Sequence, residues 1–244
     1  MYGWRLRLGV IAPANNAVIE PELYPRLPEG VSMLATKLLG SSGEMAAGNI
    51  QAMESTTEKA VRMLDVAEVD VMVYACMGTA LVKGVAWSDA LRREMTQITR
   101  ARVVTAAQLT MAGLRHMSVR RVAMATPYPE MLQALVRPYF EAHGFEIVAE
   151  RHLGISNVRQ VGVYGPEAAY KLARSLDTSR ADGVCILATD FRTLEALEWL
   201  ERDIGKPVVS TNQAILWGCL RTGGVADAIA GCGQLLRETG GIPE

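Results

Sequence analysis

Cys76 opens the run C-M-G-T-A-L directly after the apolar stretch Val69 to Ala75, and a thiol in that setting is a candidate nucleophile. Gly78 permits φ > 0 and close approach, so backbone amides from Met77 to Leu81 can point at an anion. Those amides favour thiolate over thiol by hydrogen bonding to the charged form. The competing reading is a buried, inert cysteine, the commoner fate of a free thiol. A second stretch repeats the first. V-D-V-M-V-Y-A-C-M-G-T leads from Asp70 to Cys76 in six steps, and A-D-G-V-C-I-L-A-T-D leads from Asp182 to Ala188 in six. One copy ends in a thiol and the other in a methyl group. A site with one thiol on each face of its substrate would leave this pattern if one thiol were removed.

Other residues offer binding rather than bond-making. Tyr128, after Thr126 and Pro127, could donate a hydrogen bond to a carboxylate or pack on a sheet. Asn16 in P-A-N-N and Asn157 in G-I-S-N-V-R could hold a carboxylate oxygen or cap a turn. Gly78, Thr79 and Thr189, in the two matching loops, complete the candidate set. Arg192 could clamp a carboxylate, but Asp190 two residues away points to a structural ion pair, so Arg192 is left outside the site. Cys185 lies mid-strand between Val184 and Ile186 and reads as core, while Cys219 and Cys232 receive no role. The cysteines lack C-x-x-C spacing and His116, His143 and His152 are isolated, so no zinc site is expected. No phosphate-cradling or dinucleotide fingerprint occurs, so no nucleotide cofactor is implied.

These residues need elements to position them. Strand-length apolar runs alternate with helical periods. Strands are predicted over Arg5–Ala12, Val31–Lys37, Val69–Ala75, Arg102–Thr105, Val119–Ala125, Phe145–Glu150, Gly183–Leu187 and Pro207–Ser210. Helices are predicted over Gly43–Asp65, with Met45 and Met53 among its inward residues, from Ser88 as N-cap, and over Ala106–Leu114. The second half adds Tyr128–His143, Pro166–Leu176, Leu194–Ile204 and Gln213–Thr222. The order restarts half-way: R-V-V-T-A-A-Q (102–108) resembles P-V-V-S-T-N-Q (207–213), and Leu8 to Pro13 matches Val122 to Pro127. An internal duplication follows. The expected fold is α/β, with two pseudo-symmetric lobes, each a mainly parallel sheet flanked by helices. Residues 1–115 form the first lobe and 116–223 the second, and a final helix, 224–244, returns to the first. Loops at the carboxyl ends of parallel strands line ligand crevices. Pro13–Asn16, Cys76–Leu81, Thr126–Pro129 and Ala188–Thr193 should therefore converge on one cleft between the lobes.

Composition sets outer bounds. The chain has 244 residues, half of them hydrophobic, and a formal charge of −1. It can bury a sizeable core, and it lacks the basic stripe of a nucleic-acid platform. No stretch approaches the ~20 apolar residues of a membrane span. A cytoplasmic location is expected.

The motifs resemble the maleate cis–trans isomerase family within the aspartate/glutamate racemase superfamily, with arylmalonate decarboxylase and hydantoin racemase as cousins. The resemblance covers roughly residues 5–225. It rests on G-V-I-A-P-A-N-N, Y-A-C-M-G-T-A, A-T-P-Y, L-G-I-S-N, A-T-D-F-R-T-L-E and G-K-P-V-V-S-T-N-Q-A-I-L-W. It implies thiolate addition to a small dicarboxylate, no metal or organic cofactor, and a homodimer or homotetramer. It places Cys76 at the nucleophile, Ala188 at the second cysteine, and Asn16, Tyr128 and Asn157 among carboxylate-holding residues. Such isomerases usually read C-T-x-x-R-T where this chain reads A-T-D-F-R-T. Either the second cysteine of this chain has been replaced by alanine, or the chain is a natural one-cysteine relative. Alternatives are a racemase or other proton-transfer enzyme on an amino acid, hydantoin or ectoine-derived acid, a decarboxylase, and a non-catalytic binding protein. In the decarboxylases the surviving cysteine is the one in the second half, so Cys76 speaks against that activity.

Overall fold

The computed structural model describes residues 2–40 and 47–241. The first lobe runs β1 (Leu6–Pro13), α1 (Ile19–Leu23), β2 (Val31–Leu38), α2 (Ala47–Ser55), α3 (Thr57–Val66), β3 (Val71–Tyr74), α4 (Met77–Lys83), α5 (Trp87–Thr96), β4 (Arg102–Thr105) and α6 (Ala106–His116). The second runs β5 (Arg121–Thr126), α7 (Glu130–Ala142), β6 (Glu146–His152), α8 (Val158–Val161), α9 (Pro166–Arg174), β7 (Gly183–Ile186), α10 (Leu197–Ile204), β8 (Val208–Ser210) and α11 (Thr211–Thr222). Each lobe builds one four-stranded parallel sheet, in the orders β2-β1-β3-β4 and β6-β5-β7-β8. The two orders are the same, strand for strand.

The repeated residues explain why. Asp70 accepts from the Arg7 amide at 2.7 Å, and its own amide donates to Arg7 O at 2.8 Å. Asp182 does the same to Arg121, at 2.7 Å in both directions. Each aspartate thus fixes where an inner strand starts against the strand beside it. The strands that follow, V-M-V-Y and G-V-C-I, are wholly buried, as strands covered on both faces must be. The matched glutamines cap helices. Gln108 donates its amide N–H to the Thr105 hydroxyl at the start of α6, and Gln213 completes a capping box with Ser210 at the start of α11.

These two helices join the lobes. α6 and α11 pack on each other, and each also reaches the other lobe's sheet. Gly218 allows the close crossing: a Cβ there would sit 2.3 Å from Leu109 Cδ2. One apolar core runs through both lobes, from Leu8 and Val73 to Ala125 and Leu216.

Several boundaries differ from expectation. The helix expected over 43–65 is two, α2 and α3, broken at Thr56; residues 43–46, with Met45, lie outside the described residues. The hydroxyls of Thr56 and Thr57 both donate to Met53 O, competing with the helical ladder. Ser88 lies inside α5 rather than capping it. α7 starts at Glu130, leaving Tyr128 in the loop before it. The run Met77 to Leu81 belongs to helix α4 rather than to a loop.

The continuous helix expected over 224–244 is, among the described residues, an irregular strap with one helical turn, α12 (Gln234–Arg237). Gly224, Gly231 and Gly233 hold φ of +78, +79 and +83, which a right-handed helix cannot contain. The strap is tied to the first lobe by Arg5–Asp227 at 2.5 Å and to the second by Arg237–Glu198 at 2.8 Å.

Candidate active site

The carboxyl ends of β1, β3, β5 and β7 meet at one cavity of about 40 Å³. Asn15 and Asn16 follow β1, Cys76 to Gly78 follow β3, Tyr128 follows β5, and Ala188 to Asp190 follow β7. Asn49 and Met53 of α2 and Val158 of α8 complete the wall. At roughly 10–15 Å³ for each enclosed water, the cavity holds a few waters.

Cys76 occupies the residue before α4, with extended φ and ψ of −140° and 103°. Its Sγ lies 3.1 Å from Thr79 Oγ1. Burial pushes the thiol upward from its ordinary range; the Thr79 hydroxyl and the amides of Thr79 and Gly78 oppose this, and Asp190 adds to it. Burial wins, so the resting sulfur is a thiol held beside donors that suit a thiolate.

Ala188 is the counterpart of Cys76. Ala75 N donates to Ile11 O at 2.7 Å, and Leu187 N donates to Ala125 O at 3.0 Å, so the next residues, Cys76 and Ala188, leave their sheets at the same step. The symmetry stops there. Cys76 leads straight into α4, whereas Ala188 has φ of +91°, a conformation that costs a non-glycine residue about 1–3 kcal/mol.

The loop after Ala188 is held by the first lobe. Thr189 Oγ1 accepts from Asn16 Nδ2 at 3.0 Å and donates to Ala75 O at 3.3 Å. The buried carboxylate of Glu22 accepts from the amides of Thr193 and Leu194 at 2.6 and 3.0 Å, and from Asn212 Nδ2 at 2.8 Å. Asn212 also donates to Thr189 O at 3.0 Å. Burial pushes the Glu22 carboxyl up, and these donors draw it back.

The binding candidates separate. Gly78, Tyr128 and Thr189 line the cavity, and Thr79 touches the sulfur. Tyr128 is 7% exposed, and among the described residues its hydroxyl has no partner. Burial pushes the phenol well above its ordinary range, so it stays a donor. Asn16 lines the cavity too, but its amide is engaged at both ends: Oδ1 accepts from Val18 N at 2.9 Å and Ile19 N at 3.1 Å, and Nδ2 serves Thr189. Asn157 is exposed and caps α8, accepting from Arg159 N at 3.1 Å; its neighbour Val158 faces the cavity instead. The expected Asp190–Arg192 pair is not formed. Arg192 pairs with Glu195 at 2.9 Å on the outer side. Asp190 lines the cavity, and desolvation there pushes its carboxyl up to about 6. Asp190, Asn15 and Asn49 are polar residues of the cavity that the sequence motifs did not single out as site residues; P-A-N-N and T-D-F-R contained the first two, and any of the three could equally have faced solvent. Cys185, Cys219 and Cys232 are buried away from the cavity.

A family model described as arylmalonate decarboxylase matches residues 8–236.

The chain belongs to that family.

Within the family, the maleate isomerase of Nocardia farcinica is 30% identical over 246 aligned residues, covering 97% of each chain. The arylmalonate decarboxylase of Bordetella bronchiseptica is 28% identical, covering 95% of this chain and 97% of its own. A solved cysteine-to-serine mutant of the Nocardia farcinica maleate cis–trans isomerase, with a covalently bound succinylcysteine intermediate, superposes with a TM-score of 0.88. It is 30% identical and matches 95% of this chain and 98% of that one. These family relations mark the chain as an isomerase. Among the described residues, no helix is long and apolar enough to cross a membrane.

Proposed function

We propose that this chain is a cofactor-independent cis–trans isomerase that turns maleate, or a closely related small dicarboxylate, into its trans isomer by thiolate addition from Cys76. The observation that carries the reading is the sulfur of Cys76 at the mouth of β3, 3.1 Å from Thr79 Oγ1 and facing the cavity between the lobes. Rotation about the C=C bond of maleate is slow because the π bond must break. The sulfur lone pair adds at C2, and the π electrons move to C3 and onto the carboxylate beside it as an enediolate. Rotation about the C2–C3 single bond follows. The electron pair then reforms the double bond as the thiolate leaves, and fumarate results. One hard step becomes two easier ones. The Tyr128 hydroxyl, buried and without a partner among the described residues, donates in this reading to the charge that develops on the carboxylate. The likeness to the Nocardia farcinica enzyme along the whole chain supports the substrate class.

The test is proton NMR of maleate incubated with the chain, with Cys76→Ser and with Ala188→Cys. Fumarate should form with the unaltered chain and with Ala188→Cys, and not with Cys76→Ser. No conversion by the first two at any concentration overturns the reading.

A second reading is proton transfer at the α-carbon of a small carboxylate, favoured by the Asp190 carboxyl facing the same cavity as Cys76. It requires deuterium wash-in at the α-carbon of an amino-acid or hydantoin substrate, and absence of exchange with all of them dismisses it.

A further inference from the structure

The cavity contains a thiol with no conventional base. His116 sits beside Trp217 and Glu238, His143 on Tyr139 O, and His152 beside Glu130, and none of the three lines the cavity. The position that matches the family's second cysteine holds a methyl group. Two residues further on, Asp190 of the second lobe lines the same cavity as Cys76 of the first, close enough for its charge to act on the thiol. Among the described residues it has no ion pair, and its carboxyl accepts from its own backbone amide rather than from another side chain; the cation nearest in sequence, Arg192, is taken by Glu195. The groups facing it are uncharged at rest. They are Cys76 at the head of α4 and Tyr128 after β5, with Val158 of α8 and Asn49 and Met53 of α2 completing the wall. A carboxylate without a cation in such a place weakens the fold. The Tyr128 hydroxyl, buried and unpartnered among the described residues, marks the same space as a ligand site.

We propose that Asp190 is the second acid–base group of this site, taking the proton from the Cys76 thiol and delivering it to the substrate carbon next to the one that sulfur attacks. The inference rests on the isomerase reading. The Asp190 carboxylate removes the S–H proton as the sulfur lone pair forms the S–C2 bond. The π electrons form the enediolate at C3 and its carboxylate, and the Asp190 carboxylic acid protonates that enediolate at C3 before rotation, giving a succinyl thioether. After rotation about C2–C3 the Asp190 carboxylate removes the hydrogen that C3 carried originally, the electron pair reforms the double bond, and the S–C2 bond breaks. The thiolate then takes back the proton from Asp190. No proton is gained or lost and no co-reactant is required. The geometry also removes a difficulty with a dianionic substrate, because Asp190 is neutral once Cys76 has given up its proton. Proton acceptance needs Asp190 ionised, so turnover should rise as pH rises through about 6.

The test uses the native chain and Asp190→Asn in two assays. Proton NMR in deuterated buffer follows maleate and fumarate against pH, and iodoacetamide alkylation of Cys76 without ligand is followed by mass spectrometry against pH. The native chain should form fumarate carrying deuterium at a vinyl position. Asp190→Asn should lose about 100-fold or more in kcat, lose deuterium incorporation, and lose the acid limb. Its Cys76 should alkylate faster between about pH 6 and the thiol's own titration, because a negative neighbour is gone, and no faster below that window, where native Asp190 is neutral. A variant with kcat within about threefold of native and the same pH profile overturns the role of Asp190 and leaves the isomerase reading standing. If the native chain leaves maleate unchanged, the isomerase reading fails separately, and alkylation still decides on the pair: a shifted profile supports proton sharing between Asp190 and Cys76, and an unmoved one overturns it.

Discussion

Asn16 of the first lobe donates its amide N–H to the hydroxyl of Thr189 in the second, 3.0 Å away, while its carbonyl caps the start of α1. One buried side chain therefore fixes the loop after β1 and the loop after β7 relative to each other. Asn16→Ala removes the lobe tie and leaves two α1 amides without an acceptor. It should cost about 2–3 kcal/mol in denaturant unfolding and reduce kcat as well, since Ala188 and Asp190 ride on the released loop. Unchanged stability would mean that Thr189 and α1 are held by other contacts.

Thr79 sets the thiol. Its hydroxyl is the strongest influence holding the Cys76 thiol down against burial. Thr79→Val keeps the shape and removes the hydrogen bond. Alkylation of Cys76 should shift to higher pH and slow about fivefold near neutrality, the effect of about 1 kcal/mol. An unmoved profile would show that the amides of Gly78 and Thr79 suffice.

Asp190 should weaken the fold that carries it. Its carboxyl is pushed up to about 6 by burial, above the ~3.9 of an unfolded chain. A raised carboxyl leaves the fold most stable while protonated, and stability falls as pH rises from about 4 through about 6. Asp190→Asn should therefore raise stability above that window by on the order of 2 kcal/mol, with the gain vanishing near pH ~4. Denaturant midpoints on both sides of the window check it. A gain in stability joined to a loss of activity is the signature of a functional group kept at structural cost.

Asp182 should behave in the opposite sense. The Arg121 guanidinium and amide hold its carboxyl down to about 2. Its contribution is present above about pH 4 and is lost as pH falls toward about 2. Asp182→Asn should cost about 1 kcal/mol at neutral pH after allowance for solvent screening, and nothing near pH ~2. Thermal melts at the two pH values decide it.

Ala188 stores strain. Ala188→Gly removes the Cβ from a φ of +91° and should leave stability unchanged or raise it by up to about 1 kcal/mol, strain relief outweighing the added freedom of the unfolded chain. A loss of more than about 1 kcal/mol would show that the methyl group packs against the cavity wall.

Much of this architecture is legible in the residues. V-M-V-Y and G-V-C-I announce buried parallel strands, and the repeated Asp70 and Asp182 announce the duplication, because a strand start and a strand core each need only local chemistry. Gln108 and Gln213 match because both stand at the third position of a capped helix. What stays hidden depends on direction. T-D-F-R reads as an Asp–Arg pair until the backbone turn at Ala188 sends Asp190 inward and Arg192 outward to Glu195. Asn16 and Asn157 look alike in sequence, and both cap helices. Only burial shows that Asn16 also bridges the lobes while Asn157 faces solvent. The end of α2 depends on two threonine hydroxyls competing for Met53 O, a contest that periodicity does not record.

A nucleophilic Cys76 forms a sulfur–carbon bond during turnover. Acid quench of the chain mixed with maleate, followed by peptide mass mapping, tests it most directly. The Cys76 peptide should gain the mass of one maleate, a gain absent from Cys76→Ser, while fumarate accumulates. Fumarate formed at an undiminished rate by Cys76→Ser, with no adduct on any cysteine, would contradict it.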